Sequence, residues 1–292
     1  MVTDRTTLGA AVAARLDAEA SGLAEQFAPG RGIPAFVLDD VFERDVAAAL
    51  GAAFPDPDAM MLRHTLRERK LVSAQMDRHS PLLEESVYAF QQPAVLAALG
   101  RICGIDGLLP DEHLYAGGIS VMEQGHFLNP HLDNSHDESR STYRVLNLLY
   151  YATPEWRAEY GGSLELWDRG PRRAPARTVA ATFNRLVVMA TTRRSWHSVS
   201  PVRHGGSRRC ISNYYFASRP FDADAGGPAD YFHPTSFRGF ADQPVKDVVL
   251  RADSLARAGV RRLRKQGLVR TRHAYRQPDD SAPPGSRFSA GD

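Results

Sequence analysis

The chain has 292 residues, 43% hydrophobic and 24% charged, the size and balance of a globular protein with one large domain or two small ones. Its net charge of +2 is too even for a nucleic-acid-binding surface over the whole chain, and no apolar run approaches the roughly 20 residues of a membrane span. The only cysteines, Cys103 and Cys210, exclude a disulfide framework and a four-cysteine zinc site and fit a reducing cytoplasm. The opening Met1-Val2-Thr3-Asp4-Arg5 lacks the basic-then-apolar layout of a secretion signal. Lysine occurs only at 70, 246 and 265, the rest of the basic residues being arginine, as in a GC-rich bacterial genome.

Along the chain, residues 5–27 place Leu8, Val12, Leu16, Leu23 and Phe27 near one helical face, and Gly30 and Gly32 end the pattern. Residues 34–38 read as a short strand, and Asp40 as the cap of a helix over 42–53. Two further helices are expected at 81–91 and 93–103, so the first 105 residues read as mainly helical. The character then changes to short segments rich in Val, Ile, Leu, Tyr and Thr, separated by Gly, Pro and Asn. Strands are expected at 114–122, 127–133, 143–151, 163–168, 177–181, 184–191, 195–199 and 208–217, a spacing that suits a sandwich or jelly roll. A helix is expected at 245–265. A polar tail over 277–292 has the composition of a disordered segment. No linker interrupts 30–275, which predicts one domain: a β core with helices around it (α+β). Its parts are helical support over 1–105, a core over 106–220 and an extension over 221–276.

The chemistry gathers in Pro130-His131-Leu132-Asp133-Asn134. Side chains i and i+2 on a strand share a face, so His131 and Asp133 point into one cavity. With ten histidines in the chain, such a pair arises about once by chance, and His136-Asp137-Glu138 is a second match in a turn-rich run. A third ligand must be remote, and His197 stands at the start of an expected strand. Two His and one carboxylate make a facial triad with open positions on iron(II), which implies catalysis and not a closed structural site. Eleven residues on, the turn-forming Pro201 to Ser207 should bring strand 208–217 antiparallel to 195–199. An inward Arg208 there suits the distal carboxylate of a bidentate 2-oxo acid, with Arg209 facing outward.

These residues carry a resemblance. From Phe127 to Phe216 the chain resembles the iron(II)/2-oxoglutarate-dependent dioxygenases of the prolyl-4-hydroxylase-like branch. The matching pieces are His131-Leu132-Asp133, Leu148-Leu149-Tyr150-Tyr151 followed by Trp156, Gly161-Gly162-Ser163-Leu164-Glu165-Leu166, Phe183-Asn184-Arg185-Leu186, His197, and Arg208 through Phe216. The resemblance implies a double-stranded β-helix (jelly roll). It implies His131, Asp133 and His197 as iron ligands, and Arg208 and Tyr151 as holders of the 2-oxoglutarate tail carboxylate. Arg144 falls at a position near the substrate mouth, and Asn147 and Ser212 face the cavity by alternation with Leu149 and Tyr214. Val121 and Met122 stand where relatives often carry a co-substrate tyrosine.

The implied activity is hydroxylation of an unactivated C–H bond with release of succinate and carbon dioxide. It uses Fe(II), 2-oxoglutarate and O2, with ascorbate as a candidate reductant. A carboxylate at 133 argues against a halogenase. Desaturation or cyclisation would use the same ligands. The substrate is read as a small molecule or a peptidyl group, with nucleic acid disfavoured and no membrane role. Two rival readings are a cupin-like metal-binding module without 2-oxoglutarate, and an interaction protein using the basic run Arg261-Arg262-Leu263-Arg264-Lys265. Neither explains the ordered run from His131 to Phe216. Residues 230–239 either close over the site or pack the C-terminal segment on the core.

Overall fold

The computed structural model describes residues 4–28, 30, 32–171, 174–223 and 230–263. The N-terminal region is helical, with an insertion. α1 (Arg5–Ala18) is capped by Asp4, whose carboxylate accepts from the Thr7 N–H at 2.7 Å. The single helix expected over 5–27 is broken at Glu19 (φ −108°, ψ 9°), and α2 (Ala20–Phe27) follows. β1 (Ala35–Leu38) leads to α3 (Arg44–Ala52). Asp40 does not cap α3: it sits at φ +53°, and Glu43 occupies the cap position without a side-chain bond. A hairpin of β2 (Met61–His64) and β3 (Glu68–Ser73) interrupts the expected helical region. α4 (Pro81–Ala89) and α5 (Pro93–Cys103) each start on proline, where the missing N–H is not needed, and Gly104 ends α5 at φ +66°.

The remaining strands are β4 (Leu109–Pro110), β5 (Gly118–Met122), β6 (Phe127–Leu132), β7 (Tyr143–Tyr151), β8 (Leu164–Leu166), β9 (Arg177–Val179), β10 (Arg185–Ala190), β11 (His197–Val199), β12 (Arg208–Ala217) and β13 (Ser236–Phe237). The chain closes its described part with α6 (Pro244–Leu263). The basic run beyond Leu263 and the tail over 277–292 lie outside the described residues.

One antiparallel sheet runs β1-β10-β7-β12-β5-β3-β6-β11-β8-β9, with β2 on β3, β4 on β12 and β13 on β6. It curls into a half-barrel with helices on its outer face, as a jelly-roll core requires. Alternation along the strands sorts side chains between two cores. Leu146, Leu148 and Tyr150 of β7, and Leu186 and Val188 of β10, face the helices with Val12, Leu16, Phe90 and Leu99. Tyr151, Val187, Met189 and Cys210 face the concave interior with Leu164, Leu166, Trp156 and Met122. Burial on both faces is why β7 and β10 read as nearly continuous apolar runs.

The expected pairing of strand 208–217 with 195–199 does not occur. β12 lies between β7 and β5, whereas β11 lies between β6 and β8. The connection through Pro201 to Ser207 therefore crosses from one wall of the barrel to the other.

Candidate metal centre

β6 and β11 run antiparallel with His197 directly opposite His131, and their ring centroids stand 4.1 Å apart. Asp133 follows two residues after His131 and returns to the same face. One donor atom from each of the three lies within 4.8 Å of the others, and all three side chains are buried. Each histidine has its Nδ1 3.0 Å from a backbone carbonyl two residues back, Asn129 for His131 and Ser195 for His197. A carbonyl only accepts, so Nδ1 carries the proton and Nε2 presents a lone pair. Those Nε2 atoms face Asp133, His131 at 3.6 Å from Oδ1 and His197 at 3.6 Å from Oδ2. Three acceptors converge at a spacing too long for hydrogen bonds but suited to a shared cation. Burial holds His131 neutral, pushing its pKa down to about 3. Burial alone would raise the Asp133 carboxyl, but His197, Arg144 and His131 outweigh it and hold it below its ordinary value.

Arg144 reaches this centre by a backbone irregularity. Strict alternation along β7 would put it with Leu146 and Leu148 on the helix side. The register slips where Tyr215 pairs with Leu146 but Phe216 pairs with Arg144, a bulge at Val145. Arg144 is thereby turned inward, 3.6 Å from Asp133 Oδ1 and over the Tyr214 ring at 4.2 Å. At 2% exposure it is a buried neighbour of the carboxylate.

Along β12 and β7 the inner-face pairs are Cys210 with Tyr151, Ser212 with Leu149, and Tyr214 with Asn147. Asn147 Nδ2 donates to the Tyr214 hydroxyl at 3.3 Å, and the Ser212 hydroxyl donates to the Gly118 carbonyl at 3.4 Å. Arg208 begins the same face. It is 2% exposed, whereas Arg209 is partly exposed. Its guanidinium lies over the Tyr151 ring at 4.8 Å, and Nη1 donates to Met122 Sδ at 3.8 Å. The backbone of Gly162 passes against Arg208, so a Cβ there would stand 2.7 Å from its Cδ. Gly161 is pressed the same way: its Cβ would stand 2.1 Å from the Pro201 carbonyl oxygen, and its own carbonyl accepts from Trp156 Nε1 at 3.0 Å.

Buried polar atoms are normally paired. Here Asp133 Oδ2, Arg144 Nε and Nη2, Asn147 Oδ1, the Tyr151 hydroxyl and Arg208 Nε are buried without a hydrogen-bond partner. Carboxylate and imidazole ligands at one place, and buried guanidinium and phenol donors at another, fit a metal ion together with an anionic oxygen-rich ligand.

One wall of this centre comes from the 230–239 run, which the sequence left between closing over the site and packing the C-terminal segment on the core. β13 pairs with β6, setting Phe237 opposite His131, and the two rings stack at 5.3 Å and 16°. The hydroxyl of Ser135 accepts from the His233 N–H at 3.0 Å, fastening the preceding residues beside Asp133. The run is dense in aromatic residues, Tyr231-Phe232-His233 and Phe237.

Residues 117–216 match the family model of the 2OG-Fe(II) oxygenase superfamily. Among solved structures, the chain is similar to a prolyl-4-hydroxylase from Pseudomonas putida, at 16% identity and a TM-score of 0.50, covering 68% of this chain and 98% of that one. It is equally similar to a prolyl hydroxylase from Trichoplax adhaerens in complex with a peptide fragment of the hypoxia inducible factor oxygen degradation domain. That match has 16% identity, a TM-score of 0.50, and covers 70% and 91% of the two chains. At these identities the likeness is one of fold. No curated protein matches the chain.

Proposed function

We propose, for a chain whose residues 117–216 are a 2OG-Fe(II) oxygenase domain with Fe(II), 2-oxoglutarate and O2 as its cofactors, that the protein hydroxylates a small-molecule or peptidyl substrate in the cytoplasm. His131, Asp133 and His197 are the iron ligands in this reading. Arg208 and the Tyr151 hydroxyl hold the tail carboxylate of 2-oxoglutarate, and Asn147 and Ser212 line the cavity between. Iron and 2-oxoglutarate, with O2 as the oxidant that gives one oxygen atom to succinate and the other to the substrate, would supply oxidative decarboxylation to succinate and carbon dioxide coupled to hydroxylation of a C–H bond. The chain's part is to fix the ligand lone pairs, neutralise the co-substrate and exclude water.

The observation that carries the proposal is the pairing of the converging triad with a buried, underpartnered Arg208 on the facing wall. A cupin-like metal module has no use for that arginine, and the family match over residues 117–216 favours the oxygenase reading over it. Arg144 supports Asp133 by charge, and its unpaired Nε and Nη2 are available to a substrate oxygen. Residues 1–276 are read as one domain, supported by α1, α4 and α5 packing on the sheet that carries the site.

Anaerobic titration of the apo-protein with iron(II) and 2-oxoglutarate tests the reading. A metal-to-ligand charge-transfer band in the visible means chelation of the 2-oxo acid at an open triad. Bound iron without that band would overturn it. Substrate screening by succinate formation follows the first outcome. Among the described residues no helix is long and apolar enough to cross a membrane.

A further inference from the structure

α6 carries its polar and apolar faces the opposite way from an ordinary surface helix. Its protein side is held by ion pairs and hydrogen bonds. Asp247 accepts from Arg238 at 2.7 Å and from Arg251 at 2.9 Å, Asp253 pairs with Arg67, and Ser254 Oγ accepts from the Phe237 N–H at 3.0 Å. Among the residues of α6 whose burial is described, Leu250 is the one large apolar residue that is buried. The outward positions 245, 248, 249, 252, 255, 256 and 259 are Val, Val, Val, Ala, Leu, Ala and Gly, and all are exposed. They recur at alternating steps of three and four residues, the spacing of a single helical stripe. Val245 is 78%, Val248 66% and Leu255 74% exposed.

The stripe has a neighbour. The Arg67–Asp253 ion pair brings the tip of the β2–β3 hairpin to the flank of α6, and that hairpin exposes Met61, Leu62 and Leu66. Among the described residues, eight large apolar side chains stand exposed, and seven of them belong to these two elements. Scaled by residue size, the four on α6 offer on the order of 400 Å² and the three on the hairpin on the order of 300 Å², against the roughly 800 Å² that each partner gives to a stable interface.

We propose that this face docks a second copy of the chain, α6 lying antiparallel to its twin about a two-fold axis at Ala252. The sequence of the stripe is self-complementary in that arrangement. Val245 meets Gly259, Val248 meets Ala256, Val249 meets Leu255, and Ala252 meets itself. Val245 and Val248 thus fill the space left by Gly259 and Ala256, and Val249 packs on Leu255, the self-matching that an isologous interface demands. A parallel pairing would set valine on valine at one end and leave Ala256 and Gly259 facing a gap at the other. Antiparallel helices also bring opposite dipole ends together. The flanking charges are mixed, Asp242, Lys246, Asp253 and Arg257, which does not suit an anionic membrane surface.

Sedimentation equilibrium of the full chain from about 1 to 100 µM tests the surface. The wild type is expected to dimerise, and Val248→Glu and Leu255→Glu each to weaken the dimer by at least about tenfold, with the circular dichroism spectrum unchanged. A wild-type monomer throughout would overturn the proposal and leave the face to a different partner. A dimer indifferent to both substitutions would overturn it as well. The axis is tested by cysteine placement, since Cys103 and Cys210 are both buried. Ala252→Cys should cross-link to its twin under mild oxidation, giving twice the 32.2 kDa chain mass on a non-reducing gel. Ala256→Cys should not. The reverse pattern would overturn the antiparallel register.

Discussion

Replacing Gly162 with alanine probes how the co-substrate end of the cavity is built. Gly162 has φ +69°, and its N–H is fixed by the Ser200 carbonyl at 3.2 Å. A left-handed backbone costs an L-residue roughly 1–2 kcal/mol, so the fold should lose about that much and melt a few degrees lower. The new Cβ would stand 2.7 Å from Arg208 Cδ and 3.3 Å from both Arg208 Nε and Val202 Cγ2. The Arg208 side chain is the softer partner and must move. A guanidinium shifted off a carboxylate forfeits a charge-assisted hydrogen bond of about 1.5–3 kcal/mol, which weakens 2-oxoglutarate about 10- to 150-fold. The assay is the amplitude of the charge-transfer band against 2-oxoglutarate at saturating iron, with iron affinity measured separately and expected to stay near wild type. A variant that melts lower yet half-saturates within twofold of wild type would refute the reasoning. So would one that loses iron and 2-oxoglutarate in parallel.

Arg208→Ala should raise the 2-oxoglutarate requirement far more than Arg209→Ala, because Arg208 is buried in the interior and Arg209 is partly exposed; the opposite order in the same titration would shift the register by one residue. Asp133→Ala should abolish iron binding and also destabilise the apo-protein by about 3 kcal/mol, since it leaves the buried Arg144 charge without its partner; denaturant unfolding with a midpoint equal to wild type would contradict this. At the far edge of the fold, burial would raise the Asp247 carboxyl, but hydrogen bonds from Arg238, Gly239 and Arg251 dominate and hold it at about 2 against an ordinary 3.8. Its contribution is therefore complete above about pH 4 and lost as the pH falls toward 2. Asp247→Asn should lower stability at pH 6 and flatten the acid limb of a thermal-melt series, and parallel curves would show that the carboxylate does not anchor α6.

The strands were legible where both faces are buried. Tyr143–Tyr151 and Arg208–Ala217 match their expected bounds because largely apolar and aromatic sequence between turn residues leaves little choice. The His131/Asp133 pair was legible for a related reason: period-two alternation fixes which residues share a face. The rule does not reach Arg144, whose inward turn depends on the bulge at Val145 that nothing local marks. Glu68–Ser73 was missed because a strand with charged residues at 68, 69 and 70 resembles a loop. The neighbours of β11 and β12 were misjudged because turn chemistry between 201 and 207 says that the chain reverses, not which wall it returns to. Asp40 has a capping side chain but a positive φ, a conformation set by packing around Arg15 and Asn184, whose partners lie far away in sequence.

The stack of Phe237 on His131 gives the site a dependence that its ligands alone do not reveal. Phe237 is clasped through its backbone by Ser254 of α6, and its ring in turn lies under the Arg67 guanidinium at 5.8 Å. The wall behind a candidate iron ligand is thus built from the far end of the described chain and from an N-terminal hairpin. A fragment cut to residues 117–216 would keep all three candidate ligands, Arg208 and Tyr151, yet leave one face of His131 to water. In this protein the family-matched segment and the unit able to hold a ligand rigid have different boundaries, so a transplanted core would need its own buttress for His131.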